Sequence, residues 1–181
     1  MNTAFLRGER LYLRPLDAGD IDRCLRWIND PEILPFLGRR RPTGREQEAQ
    51  WLADQYKSDD HFSLAVVLND GDRHIGNCGF NEIEHADRKA VFGILIGEKD
   101  AWDQGYGTEA TRLILDYGFR TLGLHRIGLE VYGNNPRAQA AYARAGFSLE
   151  GTQRESYYYD GRYLDTHVMG ILESEWEERC R

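Results

Sequence analysis

The chain has 181 residues, 41% hydrophobic and 29% charged, which suits one folded domain with a real core and excludes a disordered chain. A net charge of −7 argues against general nucleic-acid binding and mildly favours a cationic or amine-bearing substrate. No apolar run reaches membrane-spanning length, the first residues lack a signal-peptide core, and Cys24, Cys78 and Cys180 show no paired spacing. A cytoplasmic protein with reduced thiols and no membrane contact is therefore expected.

Arg10–Arg14 alternates as a strand and stops at Pro15. Asp17 to Asp20 supply a helix cap, and Ile21, Cys24, Leu25 and Ile28 form the apolar face of a first helix. A loop holding Arg39, Arg40 and Arg41 follows. Thr43-Gly44-Arg45-Glu46 reads as a capping box opening a second helix to about Lys57. Phe62, Leu64, Val66 and Leu68 alternate, Asn69 to Asp72 form a hairpin turn, and a partner strand runs from His74 to Phe80, with Asn81 to His85 as an extension. Lys89–Ile96 is then a third antiparallel strand.

A glycine-paired turn, Gln104-Gly105-Tyr106-Gly107-Thr108, opens a long helix in which Ala110, Leu113, Ile114, Tyr117, Gly118 and Thr121 recur on one face. Gly123 stands where a left-handed stop is expected. A strand, Arg126–Val131, follows and lies parallel to Lys89–Ile96. Asn135 caps a short helix that starts at Pro136 and stops at Gly146; strands Phe147–Ser156 and Tyr163–Ile171 flank an Asp160-Gly161 hairpin, and a short acidic helix ends the chain.

Gly105 and Gly107 carry no side chains, so an extended anion can lie against the backbone, met by the unpartnered first amides of the helix. The turn is not a Walker loop, because no Gly-Lys pair occurs in the chain. Nor is it a dinucleotide fingerprint: Ala110 replaces the third glycine and the strand ends well before the turn.

Strand, Gln-Gly-Tyr-Gly-Thr-Glu-Ala turn and helix together resemble the acetyl-CoA-binding motif of the GNAT acetyltransferase superfamily, although Gln104 abuts Gly105 where that pattern leaves two residues. With Trp102 leading, the stretch looks like the branch containing the ribosomal-protein alanine N-acetyltransferases. Asn134-Asn135-Pro136-Arg137-Ala138 and Tyr142-Ala143-Arg144-Ala145-Gly146-Phe147 are similar to a second segment of the same superfamily.

The resemblance implies an α/β (α+β) single-domain GNAT fold over residues 1–181. It would have a mixed, mostly antiparallel sheet of about seven strands, a splay between the two central parallel strands, and four or five helices. Residues 1–60 would build the acceptor-side helices and 89–156 the acetyl-CoA-binding core. Gln104, Gly105, Tyr106, Gly107 and Thr108 would hold the diphosphate, Asn134, Arg137 and Arg144 would assist, and strand amides at Leu95 and Ile96 would meet the pantetheine.

Tyr142 is the expected catalytic residue, hydrogen-bonding the departing thiolate. The acceptor amine must be neutral to attack, which at pH 7 costs about 4.6 kcal/mol for a lysine-like amine and about 1–1.4 kcal/mol for an α-amine. Glu82, Glu84 and His85 are the candidate bases, with the catalytic assignment placed on Glu82 and His85. The absence of an obvious strong base favours an α-amino acceptor. The five histidines show no ligand spacing, so no metal is expected.

The expected reaction is direct acetyl transfer from acetyl-CoA to a primary amine, first a peptide or protein N-terminal α-amine. The alternatives are a small amine (polyamine, aminoacyl nucleotide or amine toxin), a non-catalytic CoA-binding module, or a nucleotide-binding domain. The aromatic hairpin around Tyr157, Tyr158 and Tyr159 reads as an acceptor-site wall, plain sheet packing or a homodimer contact. The triple arginine reads as a solvated loop or a grip on an acidic group.

Overall fold

The computed structural model describes residues 3–180. Eight strands form one sheet in the order β1-β2-β3-β4-β5-β6-β8-β7: β1 (Leu6–Arg7), β2 (Leu11–Pro15), β3 (Phe62–Leu68), β4 (His74–Glu84), β5 (Lys89–Ile96), β6 (Arg126–Tyr132), β7 (Ser148–Tyr159) and β8 (Arg162–Leu172). Six helices flank it: α1 (Ile21–Ile28), α2 (Leu34–Leu37), α3 (Arg45–Asp54), α4 (Tyr106–Arg120), α5 (Pro136–Ala145) and α6 (Glu173–Arg179). The expected count of about seven strands misses β1, a two-residue strand too short to show alternation. The box expected at Thr43 sits one residue later. Gly44 is the cap and its N–H donates to the Gln47 side chain at 3.1 Å, while Thr43 instead accepts from Arg39 at 2.7 Å.

The sheet is covered on both faces, which explains the unbroken apolar run in β3. Leu11, Leu13, Leu64 and Val66 pack with Ile114, Leu115, Phe119 and Trp176 from α4 and α6. The alternate residues Tyr12, Ala65 and Val67 pack with Cys24 and Trp27 of α1 and reach Trp51 and Leu52 of α3. Period-two side-chain alternation sends neighbours in one strand to different layers. Each fully buried aliphatic contributes roughly 1.5–3 kcal/mol.

β5 and β6 are the parallel pair, and they touch only at their start. Lys89, Ala90 and Val91 pair with Arg126, Ile127 and Gly128. Beyond Val91, β5 stays with β4 as far as Ile96, and β6 stays with β8 as far as Tyr132. The two halves of the sheet therefore part in the middle.

A buried ionic cluster anchors the N-terminal layer. Arg14 donates two hydrogen bonds of 2.7 Å to Asp20, and His74 Nδ1 lies 3.0 Å from the same carboxylate; Asp20 is 4% exposed and His74 1%. Burial alone would push the Asp20 carboxyl up, but the hydrogen bonds from Arg14 and His74 outweigh it and hold it well below the usual carboxylate range. Asp20→Asn leaves Arg14 buried without its counter-charge and is expected to cost about 3–5 kcal/mol at neutral pH. Because the folded carboxyl titrates below its unfolded value of about 3.9, its contribution is complete above that pH and drains away as pH falls. Urea unfolding of both proteins from about pH 7 to about pH 3 checks this: the gap between them should narrow on acidification.

Candidate active site

The turn before α4 is shaped for an anion. Gly105 has φ of 82°, a left-handed conformation that an L side chain resists. The amides of Tyr106, Gly107 and Thr108 then begin the helix without intrahelical acceptors. A Cβ at Gly107 would meet nothing nearer than Ile96 at 3.7 Å, so that face is open. Thr108 Oγ1 and Asn134 Oδ1 are buried without a hydrogen-bond partner, the state expected of groups awaiting a polar ligand.

Arg10 braces the turn from behind. It donates to the Gln104 carbonyl at 2.9 Å and to Glu109 at 2.9 Å, and its guanidinium lies 4.7 Å over the Tyr106 ring. The Gln104 side chain donates to the Asp100 carbonyl. Gln104 and Tyr106 are thus held on the far side of the turn, and neither lines the cleft. Gly105, Gly107 and Thr108 line a narrow cleft of about 150 Å³ together with Arg137 and Arg144 of α5. Arg137 is held in that lining 3.7 Å over Trp102 and 6.0 Å from Phe36. Asn134 is outside this lining; its neighbour Asn135 is inside and caps α5, accepting from Ala138 N–H at 3.1 Å.

The cleft runs into the gap between β5 and β6. Gly97 donates its N–H to Ile75 on the β4 side, so alternation turns the backbone groups of Ile94 and Ile96 away from β4, toward β6. The Ile96 carbonyl already accepts from Trp102 Nε1 at 2.7 Å. Leu95, paired with Asn77, directs its own backbone groups to β4 and gives the cleft its side chain.

A second, wider cleft of about 940 Å³ opens on the α1–α3 side. Phe36, Leu37, Ile94, Leu95, Glu130, Tyr132 and Tyr142 line both cavities. A thioester reaching along one cleft and an amine entering the other would meet at that shared set. Tyr142, 8% exposed, packs its ring 6.2 Å from Phe92 and 6.0 Å from Phe147. Burial pushes its phenol up to about 12. It is therefore a protonated donor at any working pH and cannot act as a base. Full proton transfer to a thiolate of pKa about 8.5 is uphill by about 5 kcal/mol, whereas a hydrogen bond to the sulfur is not.

Of the expected bases, Glu82 lines the wider cleft. Glu84 also lines it but is bound to Lys89 at 2.8 Å. His85 lies outside, exposed in the β4–β5 turn and 3.5 Å from Asp60. Two carboxylates that sequence reasoning missed are present. Glu130 stands on β6 at the junction itself. Glu48 of α3 is 4% exposed, its carboxyl pushed up by burial and partly drawn back by Arg39. Alternation in Arg126–Tyr132 places Glu130 on the face away from Ile127, Leu129 and Val131, a signal that was available in the sequence. Glu48, inside a charged helix, gave none.

Gly105→Ala forces a side chain into a left-handed position at a cost of about 1–2 kcal/mol, relieved only by swinging the amides that follow. CoA binding measured by calorimetry should weaken by about tenfold. Gly123→Ala, also left-handed but at the far end of α4, should leave that affinity unchanged.

Residues 10–148 match the model of the acetyltransferase (GNAT) domain. The spermidine N(1)-acetyltransferase of Vibrio cholerae is 31% identical over 95% of this chain and 98% of its own; that of Escherichia coli K12 is 29% identical over 91% and 87%. The crystal structure of spermidine N-acetyltransferase from Vibrio cholerae in complex with CoA and spermine superposes with a TM-score of 0.87 at 27% identity, over 94% of this chain and 99% of that one. The glycine turn, the parted strands and Tyr142 thus belong to an acetyl-CoA-dependent N-acetyltransferase, and the chain is a member of the GNAT acetyltransferase family.

Proposed function

We propose that this enzyme acetylates a small-molecule primary amine by direct attack on acetyl-CoA, at the junction of the two clefts. The observation that carries this reading is that Tyr142 and Glu130 line both cavities, one suited to a diphosphate and thioester arm and the other open and lined by carboxylates. Among the described residues Glu82 and Glu130 have no cationic partner within 4.0 Å, because the nearby Lys89 and Arg126 are taken by Glu84 and Glu150. They are free to hold an ammonium and to accept its proton, directly or through water. For an amine of pKa about 10.4 that deprotonation costs about 4.6 kcal/mol at pH 7, so a carboxylate at the junction matters. Tyr142 then donates its O–H to the departing sulfur, and the Ile94 amide, turned into the gap, is placed to meet the developing oxyanion.

A peptide or ribosomal-protein α-amine is the second reading, favoured only by its easier deprotonation and by the open width of the cleft. The relatives named for spermidine support the small-molecule reading over it. The unpaired thiols Cys24, Cys78 and Cys180 suit a cytoplasmic setting.

Thiol release measured over a panel of small amines and N-terminal peptides tests the proposal. Small amines should lead, and faster turnover of every peptide would reject it. Tyr142→Phe should lower kcat by about 100-fold while CoA affinity stays within about twofold.

A further inference from the structure

Resting on that reading of the acceptor cleft, we infer that the amine substrate carries an anionic group, a carboxylate or a phosphate, which the Arg40 and Arg41 side chains grip at the cleft mouth. A groove of about 470 Å³ is lined by Gly38 to Thr43 with Gln47, Glu48 and Trp51. It is continuous with the acceptor cleft, because Arg39, Glu48 and Trp51 line both. Arg39, Arg40 and Arg41 line this groove and not the cofactor cleft.

The arginine loop is held against the reaction centre. Gly38, at φ of 66°, lies so close to the Tyr132 hydroxyl that any side chain there would collide with it. Tyr132, which lines both clefts, stacks on Tyr157 at 3.9 Å, and the Arg40 guanidinium lies 5.8 Å over the far ring. An aromatic ladder therefore runs from the junction to Arg40.

The three arginines are not equivalent. Arg39 donates to Thr43 at 2.7 Å and offsets the buried Glu48 carboxyl beside it. Arg40 and Arg41 are exposed and have no carboxylate within 4.0 Å among the described residues. They sit just before α3, whose first amides add to the positive potential. In a chain of net charge −7, two unneutralised guanidinium groups at the acceptor entrance favour a substrate with an anion remote from its amine. A polyamine, cationic at both ends, is disfavoured there.

The test compares acceptors with one common alkylamine and different far ends: ammonium (a diamine and spermidine), methyl, carboxylate and phosphate monoester. In the wild type, kcat/KM for the carboxylate or phosphate acceptor should exceed that for the diamine by about tenfold or more. In Arg40→Ala/Arg41→Ala that ratio should fall close to unity, and in Arg40→Glu/Arg41→Glu it should invert. Whichever of carboxylate and phosphate ranks first identifies the anion. A diamine or spermidine that equals or outruns both anionic acceptors, or a ratio indifferent to these substitutions, overturns the inference while leaving acetylation of small amines intact. If no amine in the set releases thiol, the small-amine reading fails, and the anion site is judged by inorganic phosphate binding to the CoA-loaded protein. Saturable binding lost in the alanine variant supports it; binding that is absent or equal in both overturns it.

Discussion

The site exists because two neighbouring strands stop pairing. β5 and β6 share three residue pairs and then diverge, each continuing with its other neighbour. Exposed backbone groups in the middle of a sheet are costly unless something satisfies them. Here the Trp102 indole takes one, at the Ile96 carbonyl, and the backbone groups of Ile94 still face the gap. The same divergence joins a cavity on one side of the sheet to a cavity on the other. A fully zipped sheet would bring neither Tyr142 nor Glu130 to a shared space.

Around that gap, rigidity is supplied from outside the reaction centre. Arg10 ties the β1–β2 turn to the carbonyl of Gln104 and to Glu109, so the glycine turn is supported by a residue 94 positions earlier in the chain. The Arg14–Asp20–His74 cluster holds the first helical layer to the sheet. That layer carries Trp27, whose indole donates to Glu98 at 3.0 Å just beyond β5. Charge is thus used in the scaffold for positioning, while Glu130 at the junction and Glu82 in the wider cleft stay unpaired among the described residues. That division explains how an acidic protein can be tightly cross-linked by ion pairs and still present free carboxylates to a ligand.

The features legible in the sequence are those governed by short-range rules. Gly123 marks a left-handed stop, Asn135-Pro136 starts a helix, and alternation finds β2 and β3, because each signal lies within a few residues of its effect. What stayed hidden depends on distant partners. The side chain of Gln104 appears aimed at a diphosphate until Asp100 is seen to accept its amide. His85 and Glu82 are near neighbours in sequence, yet a turn sends one to solvent and leaves the other in the cleft. Glu48 and Glu130 meet one cavity from a helix and a strand far apart in the chain. The four-residue α2, with a proline among its residues, is too short for periodicity to reveal.

Away from their shared wall the two cavities are lined by different residues, Trp102 and Arg137 in one and Arg39, Glu48 and Trp51 in the other. A donor in one and an acceptor in the other would lie side by side across that shared wall, the arrangement a direct transfer in a ternary complex requires.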